Sequence, residues 1–219
     1  CGKSWALLLE PIRHVRVPSF SAVLFRRTYP EITAPGGLWD ESARLYRHLR
    51  GEPKQGHLEW AFPSGARVRF AHMQYAADRF SWKGAQVPLL GFDQLEAFEE
   101  AQFWYMLSRN RDPSGAVRPY VRASCNPVPE DDETGGWLHR LVAWWLGADG
   151  LPIPERSGRL RGVARDDDRL EWADAPGALR RRFPGAEPKS LTFIPGRLED
   201  NPALLRADPA YRANLLARP

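Results

Sequence analysis

Apolar and polar positions along this chain form short apolar runs that alternate with amphipathic segments. Three runs have the length and composition of buried parallel strands: 21–26, 87–92 and 120–124. Three segments have the spacing of amphipathic helices: 3–12, 39–49 and 98–108. Strands that alternate with helices predict an α/β fold in which helices flank a mostly parallel sheet.

Strict alternation of apolar and polar residues predicts antiparallel hairpin additions to this fold. Four segments pair as two hairpins, 58–62 with 66–70 and 160–163 with 169–172. The second hairpin carries Asp166, Asp167 and Asp168 at its turn, and we interpret these aspartates as a solvated loop. A helix over 135–146 and a strand over 190–194 complete the predicted elements.

The composition is that of an ordinary globular protein of one domain or a little more. The chain has 219 residues, of which 43% are hydrophobic and 26% charged, and no apolar run is as long as a membrane span. Its two cysteines, Cys1 and Cys125, are too few for a disulfide framework and fit a reducing cytosol. A net charge of +4 permits nucleic-acid binding without demonstrating it.

The first residues match the second half of a phosphate-binding P-loop. Gly2-Lys3-Ser4 precedes a helical segment, as the end of G-x-x-x-x-G-K-[ST] does. In such a loop Gly2 lets the backbone approach the phosphates, Lys3 reaches the β and γ oxygens of ATP, and Ser4 is a ligand of Mg²⁺. We expect the first glycine and its strand upstream, so that the first strand is truncated here. Alone, a Gly-Lys-Ser triplet also arises by chance.

Two further strand ends carry polar residues that a nucleotide site needs. Asp93 closes the run 87–92 and has the Walker B form, an acid that holds Mg²⁺ beside Ser4. The alternative is that Asp93 caps the following helix. Asn126 follows the run 120–124 and is placed to contact the γ-phosphate or the attacking water. The alternative there is an ordinary Asn-Pro turn.

At this point the chain resembles the large terminase subunit of tailed phages, the motor that packages DNA into capsids. Segments in the expected order carry the resemblance, namely 23–32, 62–66, 70–72, 91–95, 105–111, 125–127, 193–195 and 200–202. Several such segments in order are more specific than Gly-Lys-Ser alone. The resemblance covers nearly the whole chain.

The resemblance implies a P-loop NTPase of the additional-strand type. Such a domain binds ATP and Mg²⁺ and couples hydrolysis to movement of double-stranded DNA. It works as a homo-oligomeric ring with the portal protein and the small terminase subunit, in the cytoplasm of an infected host or from a prophage. The implied ATPase domain covers residues 1–200, and 201–219 lead toward a nuclease domain. This segment itself should not cut DNA.

One residue departs from the family pattern. Gln94 stands where family members carry the glutamate that activates the attacking water, and an amide cannot take a proton. Three interpretations stay open: Gln94 orients the water, an acid among Glu96, Glu99 and Glu100 reaches in, or hydrolysis is slow. We rank slow hydrolysis first. The corresponding alternative function is a nucleotide-binding scaffold or assembly subunit that is deficient in hydrolysis.

The family also uses an arginine from a neighbouring subunit to stabilise the transition state. Arg79 precedes the Walker B strand in a suitable loop and is our first candidate for this role. Lys83, Arg109 and Arg111 are the alternatives. Arg26 and its neighbour Arg27 close a predicted strand, where they face either the nucleotide or the DNA.

Overall fold

The computed structural model of this chain describes residues 2–166 and 169–216. Contacts divide the chain into two compact units, one of Gly2–Gly136 and one that begins at Trp137. The division proposed at residue 200 remains a prediction. Cys1, Asp167 and Asp168 lie outside the described residues.

The first unit contains one six-stranded sheet. Its strands are β1 (Ser21–Arg26), β2 (Glu52–Lys54), β3 (Glu59–Ala61), β4 (Arg67–His72), β5 (Leu89–Phe92) and β6 (Tyr120–Ala123). Their order across the sheet is β2-β3-β4-β1-β5-β6. Strands β4, β1, β5 and β6 are mutually parallel neighbours, whereas β2 and β3 are antiparallel additions. The predicted mostly parallel sheet with an antiparallel hairpin is confirmed.

Four α-helices accompany this sheet: α1 (Lys3–Leu9), α2 (Tyr29–Thr33), α3 (Leu38–Tyr46) and α4 (Glu100–Leu107). Helix α1 is shorter than predicted, because the chain continues from Leu9 as a 3₁₀ helix over Glu10–Arg13. Pro11 lies in that turn, and proline lacks the N–H group that the interior of an α-helix requires. A second 3₁₀ helix, Leu95–Ala97, lies between β5 and α4.

The core of the first unit lies where α1 and α3 pack against the sheet. Residues 22–25 of β1 are all buried, as a central parallel strand requires. Trp60 of β3 is 1% exposed and donates a hydrogen bond from Nε1 to Ser42 Oγ on α3, at 2.8 Å. The Tyr46 hydroxyl donates to the Leu8 carbonyl oxygen on α1, at 2.8 Å. These bonds satisfy polar groups inside an apolar cluster and fix α3 relative to the sheet.

The second unit contains a three-stranded antiparallel sheet and four short helices. Its elements are α5 (Trp137–Val142), β7 (Arg161–Asp166), β8 (Arg169–Ala173), α6 (Pro176–Arg182), β9 (Lys189–Leu191), α7 (Pro202–Ala207) and α8 (Tyr211–Leu216). The strand order is β8-β7-β9, so the predicted second hairpin is confirmed. In the part of the chain that the structure describes, no helix is both long enough and apolar enough to cross a membrane.

Candidate functional site

The phosphate-loop residues lie at the start of α1. Gly2 caps the helix with a φ of 69°, in the left-handed region that glycine adopts without steric cost. Lys3 and Ser4 are the first two residues of the helix. Lys3 Nζ donates to the Cys125 carbonyl oxygen, at 2.8 Å, and to Asn126 Oδ1. The lysine ammonium group is therefore held at the end of β6.

Asp93 is the buried centre of the site. It follows β5, is 1% exposed, and receives the Ser4 hydroxyl at 3.0 Å from each carboxylate oxygen. The Ser124 hydroxyl donates to Asp93 Oδ1 at 2.6 Å. The carboxyl ends of β5 and β6 thus meet the start of α1 at one edge of the sheet, where open α/β sheets bind their ligands.

Arg26 supplies the positive charge opposite this buried carboxylate. It closes β1, and its Nε lies 2.9 Å from Asp93 Oδ2. The two groups are an ion pair by distance, but no well-oriented hydrogen bond satisfies Nε within the described residues. Arg26 Nη1 donates to the Gln94 side-chain oxygen. Arg26 thus contacts both Asp93 and Gln94 at this edge of the sheet, and its role stays a prediction.

Gln94 has an unusual backbone conformation for a residue with a side chain. Its φ is 61° and its ψ is 64°, in the left-handed region, which typically costs about 1–2 kcal/mol for a residue other than glycine. The Gln94 N–H donates to Ser124 Oγ at 3.1 Å, which helps to fix this turn. This turn connects the end of β5 to the following 3₁₀ helix, Leu95–Ala97.

Asn126 joins the lysine to a carboxylate that lies after this turn. Its Oδ1 accepts from Lys3, and its Nδ2 donates to Glu96 Oε1 at 2.7 Å. The Glu96 carboxylate also contributes to the raised pKa of the Cys125 thiol, although burial is the larger cause and Lys3 opposes the rise. Cys125 therefore stays a neutral thiol at pH 7.

Two other basic candidates contact residues outside this cluster. Arg79 stacks on Phe80, with its guanidinium carbon 4.4 Å from the ring centroid, and donates to the Ala76 carbonyl oxygen. Arg109 lies over the ring of Tyr105, and Lys83 is exposed. The assignment of a trans-acting arginine stays a prediction.

The structure brings together Lys3, Ser4, Asp93, Gln94 and Asn126, which the sequence singled out. Sequence reasoning assigned no role to Ser124, whose hydroxyl binds Asp93. Its position directly before Cys-Asn-Pro, at the end of the strand next to β5, is the signal that identifies it. The pairing of Arg26 with Gln94 has no comparable signal in the sequence.

The site has the arrangement of P-loop nucleotide-binding proteins: a lysine and a serine begin a helix beside an aspartate at the end of a buried strand. This chain belongs to the terminase large subunit family, T4likevirus-type, N-terminal, whose model matches residues 1–219. It is similar to the solved large terminase ATPase domain of Thermus phage P74-26, with 14% sequence identity and a TM-score of 0.43. That match covers 70% of this chain and 65% of the phage domain. No curated protein shows a significant match.

Proposed function

We propose that this chain is the ATP-binding and ATP-hydrolysing domain of a motor that packages double-stranded phage DNA into capsids. The observation that carries this proposal is the convergence of Lys3, Ser4 and Asp93, with Ser4 Oγ 3.0 Å from both carboxylate oxygens. Membership of the terminase large subunit family supports the packaging role. The substrate is ATP, and the products are ADP and phosphate.

Each residue of the cluster has a chemical role in this proposal. Lys3 binds the β- and γ-phosphate oxygens, Gly2 lets the backbone approach them, and Asn126 contacts the γ-phosphate. Lys3 and Asn126 already contact each other, so a phosphate that enters between them replaces an internal bond. Gln94 lies beside the reacting group but, as an amide, cannot act as a base.

Magnesium fits the donors present in this cluster. The Ser4 hydroxyl and the Asp93 carboxylate are the hard oxygen ligands that Mg²⁺ prefers, and Arg26 balances the carboxylate charge at 2.9 Å. Within residues 2–166 and 169–216, no group of three or more His, Cys, Asp or Glu side chains could hold a metal. An ion held by Ser4 and Asp93 would complete its coordination with water molecules and phosphate oxygens. When bound, it would stabilise negative charge on the transferred phosphoryl group.

The proposed partners follow from the family. They are double-stranded DNA, the portal protein and the small terminase subunit, and the motor works as a ring of copies in the host cytoplasm. In the ring, Arg79 is the proposed arginine that stabilises the transition state of a neighbouring subunit. Its support is its position beside Phe80, which is 56% exposed and thus available to a neighbour.

A nucleotide-binding scaffold that is deficient in hydrolysis is the second candidate function. The contact between Arg26 and Gln94 favours it, because the side chain at the family's glutamate position is an amide held by a guanidinium group. The two candidates share ATP binding and differ in turnover. Measuring both in the complete protein, with DNA and portal present, separates them.

Replacing Gln94 by glutamate tests the second candidate directly. If the protein is a motor, we expect Gln94→Glu to change turnover by no more than about threefold, because Arg26 would pair with the new carboxylate and hold it away from the water. A gain of about a hundredfold would support the hydrolysis-deficient scaffold instead. The measurement is phosphate release under saturating ATP, with bound ATP quantified in the same samples.

A further inference from the structure

We propose that Glu96 is the catalytic base of this site, the carboxylate that takes a proton from the attacking water. The inference rests on the proposed ATPase function and identifies the group that performs its proton transfer. Its starting point is two consecutive side-chain hydrogen bonds. Lys3 donates to Asn126, and Asn126 donates to Glu96. A base is needed here because the residue after Asp93 is a glutamine.

The Glu96 carboxylate has one oxygen in use and one without a hydrogen-bond partner. Oε1 accepts from Asn126 Nδ2 at 2.7 Å. Oε2 is buried, and no group among the described residues donates to it. A buried acceptor without a donor is unfavourable, so this oxygen is suited to receive a hydrogen bond from a water molecule that the site admits.

Packing on both sides fixes the backbone that carries Glu96. The neighbouring Leu95 is buried, and its N–H donates to the Ser124 carbonyl oxygen at 2.8 Å. Gly135 packs on the other side, where an added Cβ would lie 2.6 Å from the Glu96 carbonyl oxygen and 3.1 Å from its Cβ. Only glycine permits this approach. Glu96 is thus held in place by its neighbours rather than presented on a loose loop.

The other nearby acids are engaged elsewhere. Glu99 is the N-cap residue of α4, and its carboxylate lies 3.7 Å from Arg27 Nη2. Glu100 Oε1 accepts from Trp104 Nε1 at 3.0 Å, one helical turn further on. Among these three acids, Glu96 is the one joined to Lys3 through Asn126.

The proposed step balances as follows. The water oxygen forms a bond to the γ-phosphorus while the bond from that phosphorus to the β,γ-bridging oxygen breaks, and ADP leaves with the bonding pair. Glu96 Oε2 takes one water proton and later returns it to phosphate or solvent. Asn126 holds the other carboxylate oxygen, so the carboxylate faces the water in a fixed orientation.

The test compares Glu96→Gln with the unchanged complete protein in single-turnover ATP hydrolysis. Removal of a general base typically costs a factor of about 100 or more, so we expect at least that loss. ATP binding should stay within about threefold, because Lys3, Ser4 and Asp93 are unchanged. The matched control is Glu59→Gln, a partly buried, ion-paired acid on β3.

Two further variants keep the outcome decisive. Glu96→Asp keeps a carboxylate but shortens its reach, and we expect it to lower the rate by about tenfold or more while retaining more activity than Glu96→Gln. Full activity of Glu96→Gln, or a comparable loss confined to Glu99→Gln, would overturn the assignment of Glu96. Failure of the unchanged protein to bind ATP would instead overturn the proposed function and the base together, and the binding measurement identifies that case.

Discussion

Replacing Asp93 by asparagine should lower ATP turnover by about a thousandfold, equivalent to about 4 kcal/mol of transition-state stabilisation. The carboxylate is 1% exposed and its two oxygens accept from Ser4 and Ser124. An asparagine amide has one neutral oxygen and no negative charge, so it is a poor ligand for Mg²⁺. The loss should appear in turnover at every magnesium concentration that can be tested.

The control measurement is nucleotide binding in the absence of magnesium. We expect that binding to change by no more than about threefold, since Lys3 is retained. Asp40→Asn is the matched substitution, because Asp40 is an exposed acid of α3 that accepts the Gly36 N–H at 3.0 Å. Turnover of Asp93→Asn within tenfold of the unchanged protein would remove Asp93 from the proposed metal site.

The same substitution should also destabilise the first unit. Asp93→Asn leaves the Arg26 guanidinium, with 18% of its side chain exposed, without its charged partner. Removing one partner of a buried ion pair lowers the free energy of unfolding by up to about 3–5 kcal/mol. The partial exposure of Arg26 makes the expected loss smaller. The double variant with Arg26→Gln should recover part of the loss in urea unfolding, because it removes the uncompensated charge.

The α/β fold was predictable because each central element carries its own local signal. Strand β1 is a continuous apolar run bounded by polar residues, and β3 and β4 alternate around a turn. Gly2, Lys3 and Ser4 are consecutive residues of a known motif, so they can be recognised from the sequence without knowledge of the fold. Asp93 was found in the same way, as an acid that closes an apolar run.

The contacts between distant segments were not predictable from single-sequence patterns. Arg26 pairs with Asp93 across 67 positions because β1 and β5 are neighbours in the sheet, and no local spacing encodes that adjacency. Glu96 was one of three acids after Gln94, and no local pattern distinguishes it from Glu99 or Glu100. Its contact with Asn126 depends on the left-handed turn at Gln94, which departs from the backbone preference of that residue type.

Replacing Trp60 by alanine should lower the free energy of unfolding of the first unit by about 3–5 kcal/mol. The Trp60 ring is 1% exposed and contacts Trp39 and Tyr46, with centroids 5.4 and 5.9 Å away. Its removal leaves a cavity between α3 and the sheet and deprives Ser42 Oγ of a donor. The change should be visible as a lower urea midpoint for amides of β3 and β4 in hydrogen exchange.

Trp60→Phe distinguishes the stability lost through the cavity from the stability lost through the hydrogen bond to Ser42. It keeps an aromatic ring but loses the Nε1 donor, so we expect a smaller loss of about 1–3 kcal/mol. Phe80→Ala, at a ring that is 56% exposed, should stay within about 0.5 kcal/mol. Because β4 lies between β3 and β1 in the sheet, we expect turnover per folded molecule to change by no more than about threefold. A larger loss of turnover in fully folded Trp60→Ala would show that this core also positions residues of the site.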